Sequence, residues 1–365
     1  MNRTFSKTSI AALLLAFIVI VVGAYVRLSD AGLGCPDWPG CYGQITAPDD
    51  FHEIQKASEV FPHSEVNSAK AWKEMFHRYL ASSLGLLILA MAFLAIKNRG
   101  REGQQLYLPL ALVALVIFQG MLGMWTVTLL LKPAIVTMHL VTGLLTLSLL
   151  LWTALKHHQV FSAKTEVASH IRNWSRLALV ILAVQIFLGG WTSTNYVALY
   201  CPDFPTCQGQ WWPQTDFPEA FTFIKEIGIN YEGGTLTNEA GVTVHLMHRI
   251  GALLTFFVIG SLALVLIRSS DKTLRNIAYF ISGFLCIQIS LGIANVLLLL
   301  PIQIAVSHNA FAALLLLSLV TLNYRTSIST TKRISSPEEK TEKTEKNGNT
   351  LNTATTDTTA GLKTA

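Results

Sequence analysis

Charged residues are scarce in this sequence, at 13% of the chain, whereas soluble domains average about 25%. Their scarcity leaves long stretches with almost no charge, which excludes an ordinary soluble domain. Apolar residues make up 51%, and a run of about 20 of them spans the hydrocarbon of a bilayer. Lipid admits only helices and closed barrels, and barrel strands are short and alternating. The sequence therefore predicts an all-α polytopic membrane protein whose eight apolar runs lie at about 8–28, 76–96, 107–131, 135–155, 176–195, 244–267, 276–300 and 303–323.

A cleavable secretory signal is also lacking, because the first run is long, has no small-x-small site and ends in Val26-Arg27-Leu28. Lysine and arginine cluster at the N-terminus and after the second, fourth, sixth and eighth runs. The positive-inside rule places these segments, and both termini, in the cytoplasm. The clusters are short and lie at helix ends, so we expect no nucleic-acid partner. They comprise Arg3, Lys7, Lys97, Arg99, Arg101, Lys156, Lys164, Arg172, Arg176, Arg268, Lys272, Arg275, Arg325, Lys332 and Arg333.

Cysteine is rare, with five residues in the chain. Cys35 and Cys41 lie in one long outer loop, and Cys201 and Cys207 lie in another. Because the outer compartment can be oxidising, each pair is predicted to close a small disulfide loop. The alternative is a four-thiolate metal site, although the pairs lack the C-x₂-C spacing typical of zinc. Cys286 lies within the seventh run, where we expect it to be inert packing.

The sequence contains an internal repeat. The motif Cys-Pro-Asp-aromatic-Pro-x-Cys occurs at 35–41 and at 201–207, and the pair His77-Arg78 recurs as His248-Arg249. His139 recurs as His308 at nearly the same offset. Each repeat has an even number of runs, so the two repeats are parallel. We predict two pseudo-symmetric four-helix bundles, 1–155 and 176–325, joined by a cytoplasmic linker at 156–175 and followed by a disordered cytoplasmic tail at 326–365.

Five of the ten histidines lie in or at the edge of the apolar runs, where ionisable groups are costly and usually functional. Four of them form two related pairs at a similar depth near the outer surface. Diagonal helices of a four-helix bundle are about 11–14 Å apart, which two imidazoles and an iron between them would span. Haem with two imidazole ligands in each half fits this geometry. A single such histidine would more simply be a neutral, hydrogen-bonded core residue. The five are His77, His139, His245, His248 and His308.

The two halves differ three residues before the first histidine of each pair, where Glu74 stands in one and His245 in the other. A carboxylate beside a haem can act as an acid, a base or a stabiliser of positive charge. Glu74 could equally be an interfacial residue favoured by the helix dipole. Arg78 and Arg249 could pair with haem propionates or extend to the membrane interface.

A shorter pattern occurs in the third, fifth and seventh runs, where Gln119, Gln185 and Gln288 each precede a glycine by four residues. Glycines in membrane helices usually allow close helix approach. The glutamines could hydrogen-bond across the bundle or towards a bound group.

Together these features, over about residues 8–324, resemble the haem A synthase family in its bacterial, cysteine-containing form. The resemblance implies oxidation of the C8 methyl group of haem O to a formyl group, giving haem A for cytochrome c oxidase. It implies a bacterial inner-membrane location. The motifs that carry the resemblance are the eight-helix duplicated plan, Gly-Cys-Pro-Asp-Trp-Pro-Gly-Cys at 34–41, Glu74-x-x-His77-Arg78, His139, Cys-Pro-Asp-Phe-Pro-x-Cys at 201–207, His248-Arg249 and His308.

The resemblance also implies roles for single residues. His77 and His139 would flank the substrate haem O, and Glu74 would be the catalytic carboxylate. His248 and His308 would ligate the iron of a permanent haem b. His245 has no role in the family's ligand pattern. Haem O synthase, cytochrome c oxidase assembly, membrane lipid and a second copy of the chain are the expected partners.

Two other functions account for part of the same pattern. A di-haem membrane cytochrome b, acting as an electron carrier, would explain four histidines but not a glutamate in only one half. A transporter would explain two related halves, but it would hold no tightly bound chromophore.

Overall fold

The structure is a computed structural model that describes residues 3–100, 104–161 and 167–334, with side chains up to residue 328. The described residues form α-helices and loops and contain no strand. Eight helices are long and apolar enough to cross a membrane, which confirms the predicted fold class. The helices are α1 (Arg3–Leu28), α2 (Phe51–Val60), α3 (Ser68–Lys97), α4 (Tyr107–Thr128), α5 (Pro133–His158), α6 (Ser169–Thr194), α7 (Phe217–Ala220), α8 (Asn238–Ile267), α9 (Lys272–Leu297) and α10 (Ile302–Ile334).

Two additional helices and two helix boundaries differ from those expected. The two short helices α2 and α7 lie in the long loops, where no apolar run indicates them; each begins after an aspartate whose side chain accepts a hydrogen bond from a backbone N–H of its first turn. Helix α6 begins within the segment assigned to the linker, and α10 continues into the segment assigned to the tail. Residues 335–365, the rest of the predicted tail, lie outside the described residues.

The membrane helices contact one another in two similar sets. In the first set α1 contacts α3 and α5, and α4 contacts the same two helices. In the second set α6 contacts α8 and α10, and α9 also contacts both. The sets meet through α5 with α6, α1 with α10, and α5 with α10. A shared apolar core includes Ile88, Leu147, Ile259 and Leu319, all fully buried. A symmetry relation between the two sets stays a prediction.

The outer loops are closed by two disulfides, Cys35–Cys41 and Cys201–Cys207, so the cysteines pair as predicted and do not form a four-thiolate site. The aspartate of each motif organises its loop. Asp37 accepts hydrogen bonds from the backbone N–H groups of Tyr42 (2.6 Å) and Gly43 (2.8 Å), and Gly43 adopts a positive φ of 73°.

In the second loop Asp203 accepts the matching bonds from Gln208 (2.6 Å) and Gly209 (3.0 Å). A hydrogen bond from the Thr206 hydroxyl, with these backbone N–H groups, holds the pKa of Asp203 below its usual value. The fifth cysteine, Cys286, is exposed on α9, so the expectation that it packs inside the protein was wrong.

Candidate functional site

The four related histidines lie on four different membrane helices, each near the N-terminal end of its helix. His77 is on α3 and His139 on α5, within the first set of helices. His248 is on α8 and His308 on α10, within the second set. The imidazoles of His77 and His139 are close enough to interact electrostatically, and so are those of His248 and His308. The structure therefore brings the histidines together as the two predicted pairs.

Each histidine of the two pairs packs against a glycine on the neighbouring helix of its own set. The absence of a side chain lets the imidazole approach the helix backbone closely. The distances from an added Cβ to the imidazole Cε1 would be 2.8 Å for Gly23 and His77, 3.5 Å for Gly123 and His139, 3.0 Å for Gly189 and His248, and 3.1 Å for Gly292 and His308. Sequence reasoning noted three of these glycines as helix contacts but not as partners of the histidines.

Glu74 lies one turn before His77 and connects α3 to the first disulfide loop. Its side chain is buried, with 5% of the residue exposed. One carboxylate oxygen accepts a hydrogen bond from the backbone N–H of Cys35 at 2.9 Å, and the other pairs with Arg78 at 2.5 Å. The glutamate is therefore held in place by the loop and by the arginine one turn further along the helix.

His245 occupies the corresponding place in the second set. The backbone N–H of Cys201 lies 3.2 Å from its Nδ1, and Nε of Arg249 lies 3.2 Å from its Nε2. A carboxylate accepts both such bonds, whereas a neutral imidazole has one acceptor nitrogen. His245 therefore matches Glu74 in position and in partners. Unlike the carboxylate, it can accept a hydrogen bond from only one of its two donors at a time. This role of His245 was missed from the sequence, although the shared spacing from His77 and His248 was visible there.

The two arginines also bind the disulfide loops. Arg78 donates to the backbone carbonyls of Asp37 (3.0 Å) and Pro39 (3.3 Å), and also to that of Gly40. Arg249 donates to those of Thr206 at 2.8 Å and Cys201 at 2.7 Å. From the sequence we expected these arginines to contact a propionate or to extend to the interface. The hydrogen bonds to the loop carbonyls were not expected. The propionate contact stays a prediction.

The three glutamines contact the helices that carry the histidines. Gln119 donates to the backbone carbonyl of His139 at 3.0 Å and to the Thr142 hydroxyl at 2.8 Å. Gln185 and Gln288 reach the histidine rings themselves. Of the two alternatives for these glutamines, the structure shows hydrogen bonds to neighbouring helices of the bundle, and a contact with a bound group stays a prediction.

The residues present fit a haem better than a bare metal ion. Each set offers two neighbouring imidazoles, and a haem iron needs two protein ligands because its macrocycle supplies the others. Among the residues that the structure describes, no group of three or more His, Cys, Asp or Glu side chains is arranged to hold a metal ion. The glycine opposite each imidazole lets Cε1 of that ring come close to the helix backbone.

Comparison with known proteins agrees with this geometry. The profile of the cytochrome oxidase assembly protein family, COX15-CtaA, matches residues 7–320. The chain belongs to this family. A relative named heme A synthase from Shewanella oneidensis is 46% identical over 317 residues, which cover 86% of this chain and 93% of the relative. Two further relatives of that name, from Allorhizobium ampelinum and Sinorhizobium fredii, are each 27% identical and each cover 86% of this chain and 88% of their own length. The family resemblance drawn from the motifs is thus confirmed.

Proposed function

We propose that this protein is a haem A synthase, which oxidises the C8 methyl group of haem O to a formyl group and so provides haem A for cytochrome c oxidase. Family membership and the relatives named heme A synthase support this proposal. The observation that carries it is the difference between two otherwise matching sites. Each has a histidine pair, but among the described residues a buried carboxylate stands beside the first pair alone.

The difference assigns a role to each half, residues 1–155 and 176–325. In this proposal His77 and His139 hold the substrate haem O, and His248 and His308 hold the iron of a haem b. The haem b held by His248 and His308 would supply the electron-transfer chemistry that oxidation of a methyl group requires. His77 and His139 would orient the substrate haem.

Glu74 is the residue proposed to act on the substrate. Its carboxylate is buried and fixed by two donors, the Cys35 N–H and the Arg78 guanidinium. A fixed negative charge can stabilise positive charge that develops on the substrate, or it can accept a proton there. His245 lies beside the same two donors in the second half but accepts a hydrogen bond from one of them at a time. One such bond therefore suffices to attach the second loop, and in this proposal the carboxylate of Glu74 is needed for the substrate as well as for the second donor.

The eight membrane helices show a multi-pass membrane protein. We propose the inner membrane of a bacterium as its location, with both termini in the cytoplasm, because the basic residues cluster on that side. Haem O synthase and the cytochrome c oxidase assembly machinery are the proposed partners, and a homo-oligomer stays a prediction.

The test is expression in a host that makes haem O but no haem A, followed by chromatography of the extracted pigments. The unchanged protein should produce haem A and retain haem b. Glu74→Ala should retain haem b and accumulate haem O, because the carboxylate beside the substrate is lost. Extraction of haem B alone from the unchanged protein would instead indicate a di-haem electron carrier.

The chain offers a matched control for the loop contacts. Glu74→His reproduces the arrangement of His245, so it should keep the first loop attached to α3 while removing the carboxylate. We expect it to accumulate haem O as Glu74→Ala does. Normal haem A output from Glu74→His would show that Glu74 only anchors the loop.

A further inference from the structure

The helices that pack against the four histidines share a short sequence pattern, with one exception. The pattern is a glutamine four residues before a glycine. On α4, α6 and α9 a glutamine stands four residues before the glycine that faces an imidazole. On α1 the corresponding glycine is Gly23, and the residue four positions earlier is Val19. Val19 is partly buried against the apolar core and carries no hydrogen-bonding group on its side chain. His77 is therefore the one histidine of the four that faces no glutamine.

The rings of the second pair are held by hydrogen bonds. The side-chain amide of Gln185 lies 3.0 Å from Nδ1 of His248. His308 donates from Nδ1 to the backbone carbonyl of Gln288 at 3.1 Å, which leaves Nε2 as the nitrogen that could bind an iron; the side-chain amide of Gln288 lies 3.2 Å from Nε2 and would have to move aside for that. Gly251 makes room for the first of these contacts, since a Cβ there would lie 2.2 Å from Oε1 of Gln185.

The rings of the first pair are held less firmly. Within the described part of the chain, the buried Nδ1 atoms of His77 and His139 have no hydrogen-bond partner. The backbone carbonyl of Gln119 lies beside the His139 ring, but the contact falls outside hydrogen-bond geometry, whereas the matching carbonyl of Gln288 meets it with His308. The side chain of Gln119 binds the backbone of His139 and the Thr142 hydroxyl, and that of Gln185 likewise binds the backbone of His248 in addition to the ring.

We propose that Gln185, through its side-chain amide, and Gln288, through its backbone carbonyl, are positioning residues that make the second haem permanent, and that Val19 leaves His77 as the releasable ligand of the first. A histidine that binds a metal through one ring nitrogen donates the N–H of the other nitrogen to an acceptor, and loss of that bond typically costs 10–100-fold in metal affinity. A cofactor site gains from such a bond, whereas a substrate site must let its product leave. This inference rests on the proposed function and explains how one duplicated fold provides both kinds of site.

The experiment measures haem release from the purified full-length protein to excess apomyoglobin, a haem acceptor. The unchanged protein should show a fast and a slow phase. His77→Ala should remove the fast phase and His308→Ala the slow one, which assigns each phase to a half. Gln185→Leu should speed the slow phase about tenfold or more and shift the midpoint potential of the slowly released haem.

The matched control is Gln119→Leu, which makes the same change on the corresponding helix of the first half. Because Gln119 lies in the first half and does not contact His248 or His308, we expect the slow phase to change less than twofold. Gly251→Ala should act like Gln185→Leu, since its Cβ displaces the Gln185 side chain. Gln288→Leu should have a smaller effect, because the backbone carbonyl of Gln288 still contacts His308.

The reverse change is Val19→Gln, which supplies the missing amide opposite His77. It should slow the fast phase, and an unchanged slow phase shows that the variant is folded. If haem release shows two clear phases and neither Gln185→Leu nor Val19→Gln alters them, this inference is overturned. The proposed function would remain intact. A single phase in the unchanged protein, unaffected by His77→Ala, would instead contradict the two-site function itself.

Discussion

Arg78 and Arg249 are partly buried, and the guanidinium of each donates hydrogen bonds to several acceptors. The planar guanidinium of Arg78 reaches three loop carbonyls and the carboxylate of Glu74, and that of Arg249 reaches two carbonyls and His245. A guanidinium has five N–H donors in a fixed plane, whereas a lysine ammonium is a single point of charge. These contacts make arginine specific at both positions.

Arg78→Lys should therefore keep the charge and lose most of the loop contacts. A lysine ammonium cannot hold Glu74 and the loop carbonyls at once, so we expect the first loop to loosen by about 1–3 kcal/mol. Faster reduction of Cys35–Cys41 by dithiothreitol would show this, with Cys201–Cys207 as the internal reference. Arg249→Lys is the matched variant. In it we expect Cys201–Cys207 to be reduced faster than Cys35–Cys41. Equal reduction rates in both variants would contradict a role for either arginine in its loop.

At the scale of helices, the placement of the imidazoles depends on the glycines opposite them. The apolar runs were sufficient to predict the eight membrane helices, because length and hydropathy decide that structure. The contact of Gly23 with His77 could not be predicted, because it depends on how two helices rotate about their axes. Hydropathy carries no information about that rotation, and α1 presents apolar residues all round.

Gly23→Ala should weaken haem binding at the first pair. Its Cβ would lie 2.8 Å from Cε1 of His77, so the ring must move from its place beside the helix. We expect loss of most of the haem that is associated with His77, measured as haem per protein after purification. Gly85→Ala on α3 is the control, because a Cβ there meets nothing within 4 Å. Full haem content in Gly23→Ala would show that His77 does not need this contact.

At the scale of the whole molecule, the two sets of helices are joined by specific polar contacts as well as by the apolar core. Arg27 on α1 donates to the backbone carbonyl of Ser193 on α6 at 2.6 Å and lies 3.8 Å from the centre of the Tyr196 ring. The hydroxyls of Thr137 and Thr194 hydrogen-bond at 2.9 Å across α5 and α6. The repeat in the sequence predicted two halves, but it could not show which faces meet, because these contacts have no counterpart within either repeat.

Arg27→Ala should destabilise the protein in detergent. It removes a charged hydrogen bond worth about 1.5–3 kcal/mol and a contact with the Tyr196 ring worth about 1–2 kcal/mol. A lower midpoint of thermal unfolding, followed by tryptophan fluorescence, is the expected result. Arg268→Ala removes an exposed arginine at the end of α8 and should change the midpoint far less. Similar midpoints for the two variants would exclude Arg27 as a link between the sets.

The contact between α5 and α10 has a consequence for any reaction that uses both sites. His139 and His308 lie on these two helices, which pack directly together, and packed helix axes are about 8–10 Å apart. If the proposed haems bind at both pairs, His139 and His308 would hold them from adjacent helices, and electrons could then pass between the two sites within the protein itself. With such an internal path, a mobile carrier would need to meet the molecule at only one of the two centres.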